Sequence, residues 1–72
     1  MNSQFIEARE FIAKAREALR RGDHQSARQL GEQAAQRAPK MEDVWLILAA
    51  SDPDPRQALA YARKALQLNP QS

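Results

Sequence analysis

A pattern of three residues occurs twice along the chain, in the same order. Each copy begins with a bulky aromatic residue, continues with an alanine in the following segment and ends at a proline. The two sets are Phe11, Ala27 and Pro39, then Trp45, Ala58 and Pro70. Such repetition indicates stacked helix pairs, because one pair cannot bury its apolar face without a neighbour. The pattern predicts an all-α chain of two stacked antiparallel helical hairpins, a fragment of an α-solenoid.

Helical spacing of the apolar residues, together with start and stop signals, predicts four helices. Gly22 tolerates the left-handed conformation of a helix C-terminus, and Asp23 is an N-cap for the second helix. Asp54, Pro55 and Gln57 form a capping-box start for the fourth helix. No segment alternates with the period of a strand. The predicted helices span about 4–21, 24–37, 41–51 and 55–68.

The same spacing predicts which faces are buried. The third helix is apolar nearly all round, so we expect it to be the central element, with Trp45 as a packing anchor between the hairpins. In the second helix, small residues including Gly31 should let two backbones approach closely. The core face of the first helix is predicted to carry Phe5, Ala8, Phe11, Ile12, Ala15, Ala18 and Leu19. That of the fourth is predicted to carry Ala58, Leu59, Ala62, Ala65 and Leu66, with Tyr61 and Leu68 at its edge.

Length and composition limit the function classes. A chain of 72 residues makes one domain, 1–72, with a thin core and marginal stability. It has no cysteine, and His24 is its one histidine, so we expect neither a disulfide nor a metal site. The net charge of +2 is too small to demand a nucleic-acid partner. The longest apolar run, Val44 to Ala50, is too short to cross a bilayer, and we expect a soluble, cytoplasmic protein.

Catalytic patterns are not evident. The sequence contains no nucleophile and base pair, no set of metal ligands and no glycine-rich loop for phosphate. Asp52 and Asp54 flank prolines, which favours capping over calcium binding. We therefore expect a non-enzymatic protein without a cofactor.

The repeated pattern resembles the tetratricopeptide repeat (TPR). That family's unit reads Trp-x2-Leu-Gly-x2-Tyr, then Ala-x3-Phe, then Pro. The first copy here, at about 8–39, departs from the family at Lys14, Ala18 and Gly31, and the second, at about 42–70, is shorter and turns through Asp-Pro-Asp-Pro. The matching segments are Phe11-x2-Lys14-Ala15-x2-Ala18, Ala27-x3-Gly31 and Pro39, and Trp45-x2-Leu48-Ala49-x2-Asp52, Ala58-x3-Ala62 and Pro70.

The resemblance implies a protein–protein interaction module, in which the first helices of successive pairs line a groove for a peptide or helix of another protein. Carried over by position, the groove residues are Arg9, Ile12, Arg16, Leu19, Arg20, Asp43, Leu46 and Ala50. The arginines favour a partner with acidic character and apolar anchors. The alternative for these arginines is a solvated charged face, which is the ordinary case on a helix surface.

A second function stays open beside the first. The fourth helix is not followed by a capping helix with a polar face, and residues 55 to 72 contain no acidic residue. Tyr61 and Leu68 then form an apolar edge through which the chain either self-associates, as in a homodimer, or continues a longer repeat array.

Overall fold

The computed structural model describes residues 3–71, which form four α-helices and, within that range, no strand. The helices are α1 (Ser3–Arg20), α2 (His24–Arg37), α3 (Glu42–Ser51) and α4 (Pro55–Leu68). Each predicted boundary lies within one residue of the observed one. The all-α class and the pair of helical hairpins are confirmed.

Both hairpins contain short turns that are closed by identifiable caps. Gly22 adopts φ 79°, and the N–H groups of Gly22 and Asp23 donate to the carbonyls of Leu19 and Ala18. This is the Schellman arrangement, which ends α1 one residue earlier than predicted. Asp23 then caps α2, since its Oδ1 accepts from the N–H of Ser26 at 3.1 Å. Hydrogen bonds from the Ser26 side chain and then from the Ser26 N–H hold the pKa of the Asp23 carboxyl below its usual value.

The α4 N-terminus is capped as predicted, although by a different set of bonds. Asp54 Oδ1 accepts from the N–H of Arg56 at 2.9 Å, and Pro55 opens the helix. The predicted capping box is wrong in its second half. The N–H of Asp54 donates to Asp52 Oδ1 at 2.8 Å rather than to Gln57, because the Asp-Pro-Asp-Pro turn brings an acceptor closer.

Replacing Asp54 with alanine should lower the free energy of unfolding by about 1 kcal/mol, because the N–H of Arg56 at the start of α4 loses its acceptor. Thermal or urea melts followed by circular dichroism measure the loss. Asp54→Asn, which keeps an acceptor oxygen, should recover most of it. An unchanged melting curve for Asp54→Ala would mean that Asp54 does not stabilise α4.

Helix α3 is the central element. It contacts α1, α2 and α4, whereas α4 contacts α3 and no other helix among residues 3–71. The core lies between α1, α2 and α3 and is formed by Ala8, Ile12, Ala15, Ala34, Val44, Ile47 and Leu48. Four of these side chains come from α1 and α2 and are small or medium in size, so the helices approach closely.

The closest approach of α2 to α3 is at Gly31. A Cβ at this position would lie 3.0 Å from Ile47 Cγ2 and 3.1 Å from Leu48 Cδ2. The prediction that small residues on α2 permit close contact is therefore confirmed. Within residues 3–71, no helix combines the length and the apolar character needed to cross a bilayer.

Candidate functional site

A cleft of about 380 Å³ lies between α1 and the start of α3. We call it the α1/α3 groove. It arises because α1 and α3 run side by side over the core, and the residues on their outward faces rise on either side. Its lining residues are Phe5, Arg9, Ile12, Ala13, Arg16, Met41, Glu42 and Asp43.

The two walls of the groove carry opposite charge. Arg9 and Arg16 lie on the α1 wall, and Glu42 and Asp43 lie on the α3 wall. One ion pair spans the groove, with Arg16 Nη2 lying 3.4 Å from Asp43 Oδ2. Both side chains are exposed, so this pair adds little to folding. A ligand carboxylate would compete with Asp43 for Arg16.

Arg9 is the second cation of the groove. It forms no ion pair with a residue within 3–71. Its guanidinium carbon lies 6.0 Å from the centroid of the Phe5 ring, at the outer limit of a cation–π contact. Arg9 and Phe5 therefore present a positive charge beside an apolar ring.

Four of the predicted groove residues are brought together in the α1/α3 groove: Arg9, Ile12, Arg16 and Asp43. Arg20 is not. Its Nε donates to Glu17 Oε2 on the same helix at 3.0 Å, and its side chain does not line the groove. Because Arg20 pairs with Glu17 one turn away on α1, it does not join the other predicted arginines in the groove.

Ile12 lines the groove as predicted, but little of its side chain is accessible there. Ile12 is 3% exposed and belongs to the core cluster, so it contributes at most to the floor of the groove. Leu19 also packs against that cluster. Both residues lie on the side of α1 that packs toward α2 and α3. The position of a residue within the repeat did not tell this side from the groove side.

Leu46 and Ala50 are exposed, as a binding role requires, but neither lines the α1/α3 groove. Leu46 instead borders a hollow of about 290 Å³ between α3 and α4, together with Glu42, Ala62, Ala65 and Leu66. Sequence position placed Leu46 on the outer side of α3 without deciding which neighbouring helix it faces.

Tyr61 and Leu68, the predicted apolar edge, are half-buried rather than exposed. The Tyr61 ring centroid lies 5.9 Å from that of Trp45 on α3. The exposed residues are Leu59 and Leu66, at 52% and 53%. Tyr61, Ala65 and Leu68 lie on one side of α4 by helical spacing. The contact of Tyr61 with Trp45 makes this the side that packs on α3.

Four groove residues were missed by the sequence analysis: Phe5, Ala13, Met41 and Glu42. Phe5 was predicted to lie in the core and is 44% exposed. It lies in the first turn of α1 and lines the groove beside Met41 instead of entering the core.

No group of three or more His, Asp or Glu residues within 3–71 is placed to hold a metal ion. The lowered pKa of Asp23 follows from the hydrogen bonds that the Ser26 side chain and N–H donate to its carboxylate, which belong to the cap of α2. No family model, curated protein or solved structure matches this chain. The functional interpretation therefore rests on the α1/α3 groove and on the surface around Leu46.

Proposed function

We propose that this chain is a non-enzymatic protein–protein interaction module that binds a peptide segment of another protein in the α1/α3 groove. The observation that carries the proposal is the groove itself, a cleft of about 380 Å³ with cations on one wall and carboxylates on the other. An open, polar cleft of this kind suits an extended peptide better than a small molecule, which pockets usually enclose.

The arrangement of the helices supports the same function. α3 stacks on both helices of the first hairpin, and α4 stacks on α3 alone among residues 3–71. Stacking of successive hairpins creates the extended surfaces that repeat proteins use for binding. A TPR-like module is therefore part of the proposal.

The charges of the groove suggest the character of the peptide. An acidic side chain of the ligand would approach Arg9, whose charge is not paired within residues 3–71, and an apolar side chain would contact the neighbouring Phe5. Opposite Arg9, the carboxylates of α3 favour peptide N–H groups or a basic side chain. These charges mainly fix register and speed encounter, so we expect modest affinity that weakens with salt.

A random peptide library displayed on phage and selected against the chain tests the groove. An NMR titration with a selected peptide should shift the signals of Arg9, Ala13, Arg16 and Asp43. Arg9→Glu should weaken that peptide by about tenfold, since it replaces an attraction with a repulsion. Its matched control is Arg28→Glu on the exposed side of α2, which should leave the affinity unchanged.

The opposite pattern would reject the groove as the binding site. It consists of shifts confined to α2 and α4, with α1 and Asp43 silent, or of equal affinity for the Arg9→Glu and wild-type proteins. Melting curves of both variants should match the wild type, because exposed charges contribute little to stability.

A further inference from the structure

A second surface, separate from the α1/α3 groove, is formed by α3 and α4. Its apolar members are Leu46, Leu59, Ala62 and Leu66, and we call it the α3/α4 apolar face. Leu46, Leu59 and Leu66 are 46%, 52% and 53% exposed. They are three of the five large hydrophobic residues that are exposed within residues 3–71. Their concentration on one face marks a candidate docking surface.

The face is open because α4 has a single neighbour. Along α4, Ala58, Tyr61, Ala65 and Leu68 turn toward α3. Leu59, Ala62 and Leu66 form the adjacent seam and, at about 100° per residue, lie within about 60° of one another. Within residues 3–71, α3 is the one helix that α4 contacts. The seam of Tyr61 and Ala65 is therefore packed, and the seam of Leu59 and Leu66 is not.

The shape of the face suits a helix. Leu46 on α3 and Leu66 on α4 line the hollow of about 290 Å³ together with Ala62 and Ala65, and Glu42 lines its end near the start of α3. Leucines beside small residues form a groove between two helices, into which the side-chain ridge of a third helix can pack. The spacing of Leu59, Ala62 and Leu66 covers about two helical turns.

Charge selects the occupant. Residues 55 to 68 contain no acidic residue, and Arg56 and Arg63 lie about 40° to 60° from Leu59, on the side away from Ala62. Neither arginine forms an ion pair with a residue within 3–71. The apolar seam is thus bordered by two cations whose charge is not balanced by the described part of the chain.

A second copy of this chain fits the face poorly. Packing α4 on the α4 of another copy would bring the same cations together without an acidic residue on either helix. The α1 surface carries Glu7, Glu10 and Glu17, but its exposed large hydrophobic residues are Phe5 and Ile6, both in the first turns of the helix. They cannot fill a seam of two turns and also place acids beside Arg56 and Arg63.

We infer that the α3/α4 apolar face docks an amphipathic helix of a different protein. That helix carries leucine or isoleucine at i, i+3 and i+7, which fill the seam, and Asp or Glu along the flank that faces Arg56 and Arg63. The mode is helix-in-groove recognition, with apolar anchors for affinity and charge for orientation. Glu42 lines both this surface and the α1/α3 groove, but the leucines and arginines of the inference lie outside the groove, so variants of them test this surface separately.

A designed peptide pair tests the inference. The probe is a synthetic alanine-rich peptide of about 18 residues, long enough to form helix in water, with leucine at i, i+3 and i+7 and glutamate on one flank. The control peptide has lysine in place of each glutamate. In NMR titrations the glutamate peptide should shift Leu46, Leu59 and Leu66, and the lysine peptide should bind about fivefold more weakly or worse.

Matched variants assign the contacts. Leu59→Gln combined with Leu66→Gln should weaken the glutamate peptide by about tenfold or more, while circular dichroism remains unchanged because both side chains are exposed. Arg56→Gln combined with Arg63→Gln should weaken it by about fivefold. Arg28→Gln on α2 removes a charge far from the face and should have no effect. Arg9→Glu, which tests the groove, should also leave this peptide unaffected.

Four results would overturn the inference. The glutamate peptide fails to shift α4 at millimolar concentration, or the two peptides bind equally. Alternatively, the shifts lie in the α1/α3 groove. Finally, sedimentation equilibrium shows a wild-type dimer that Leu59→Gln with Leu66→Gln dissociates, which would make a second copy the occupant.

Discussion

Trp45→Ala is expected to lower the free energy of unfolding by about 3 kcal/mol, the lower end of the range for aromatic truncations, because the ring is half-buried. Trp45 connects three parts of the fold. Its ring lies 5.9 Å from that of Tyr61 on α4, and its Nε1 donates to the carbonyl of Pro39 at 2.7 Å. Truncation therefore removes the main aromatic contact of α3 with α4 and frees the turn before α3.

A loss of this size should unfold much of the protein, because small domains are marginally stable. Urea denaturation followed by circular dichroism measures it, since the substitution removes the one tryptophan that fluorescence would report. Trp45→Phe is the matched control: it keeps a ring against Tyr61 but loses the hydrogen bond to Pro39, for an expected cost of about 1 kcal/mol. If Trp45→Ala melts like the wild type, the ring is a surface residue available for recognition rather than a packing anchor.

The helices were predictable because local chemistry sets their ends. Gly22 ends α1 in a conformation that glycine adopts without strain, and the carboxylates of Asp23 and Asp54 cap the helices that follow them. These signals act within four residues, so they can be read without knowledge of the tertiary structure. The cap of α4 shows the limit of such local signals. Both Gln57 and Asp52 could accept from the N–H of Asp54, and the structure uses Asp52.

The orientation of the helices was less predictable. On α4 the apolar arc is wider than one neighbouring helix can cover. Helical spacing allows two seams, one with Leu59 and Leu66 and the other with Tyr61 and Leu68. Contact with Trp45 on α3 decided which seam is packed. A single-chain pattern gives the width of an apolar arc, whereas the position of the partner helix is a tertiary property.

The same limit explains the mixed outcome for the groove. Arg9, Arg16 and Asp43 meet across it, but Arg20 turned to Glu17 and Ile12 entered the core. Position within a repeat indicates which helices form a groove. It does not indicate which side chains along each helix find a nearer partner, because such pairs form between residues three or four apart.

Gly31→Leu should destabilise the fold by about 2 to 3 kcal/mol through overpacking. A Cβ alone would lie 3.0 Å from Ile47 Cγ2 and 3.1 Å from Leu48 Cδ2, and leucine adds three more carbons at the same place. Its helix propensity exceeds that of glycine by less than about 1 kcal/mol, which does not offset the clash. α2 and α3 must then separate, and the core that both helices share with α1 loosens.

Two matched variants isolate this packing effect in urea melts. Gln29→Leu places the same side chain on the exposed surface of α2 and should leave stability within about 0.5 kcal/mol of the wild type. Gly31→Ala gains about 1 kcal/mol in helix propensity, and the tight contacts of the added Cβ with Ile47 and Leu48 offset that gain. Its melting curve should therefore stay near that of the wild type. If Gly31→Leu proves as stable as Gln29→Leu, α2 and α3 do not approach closely at Gly31, and the stacking of the two hairpins would need another geometry.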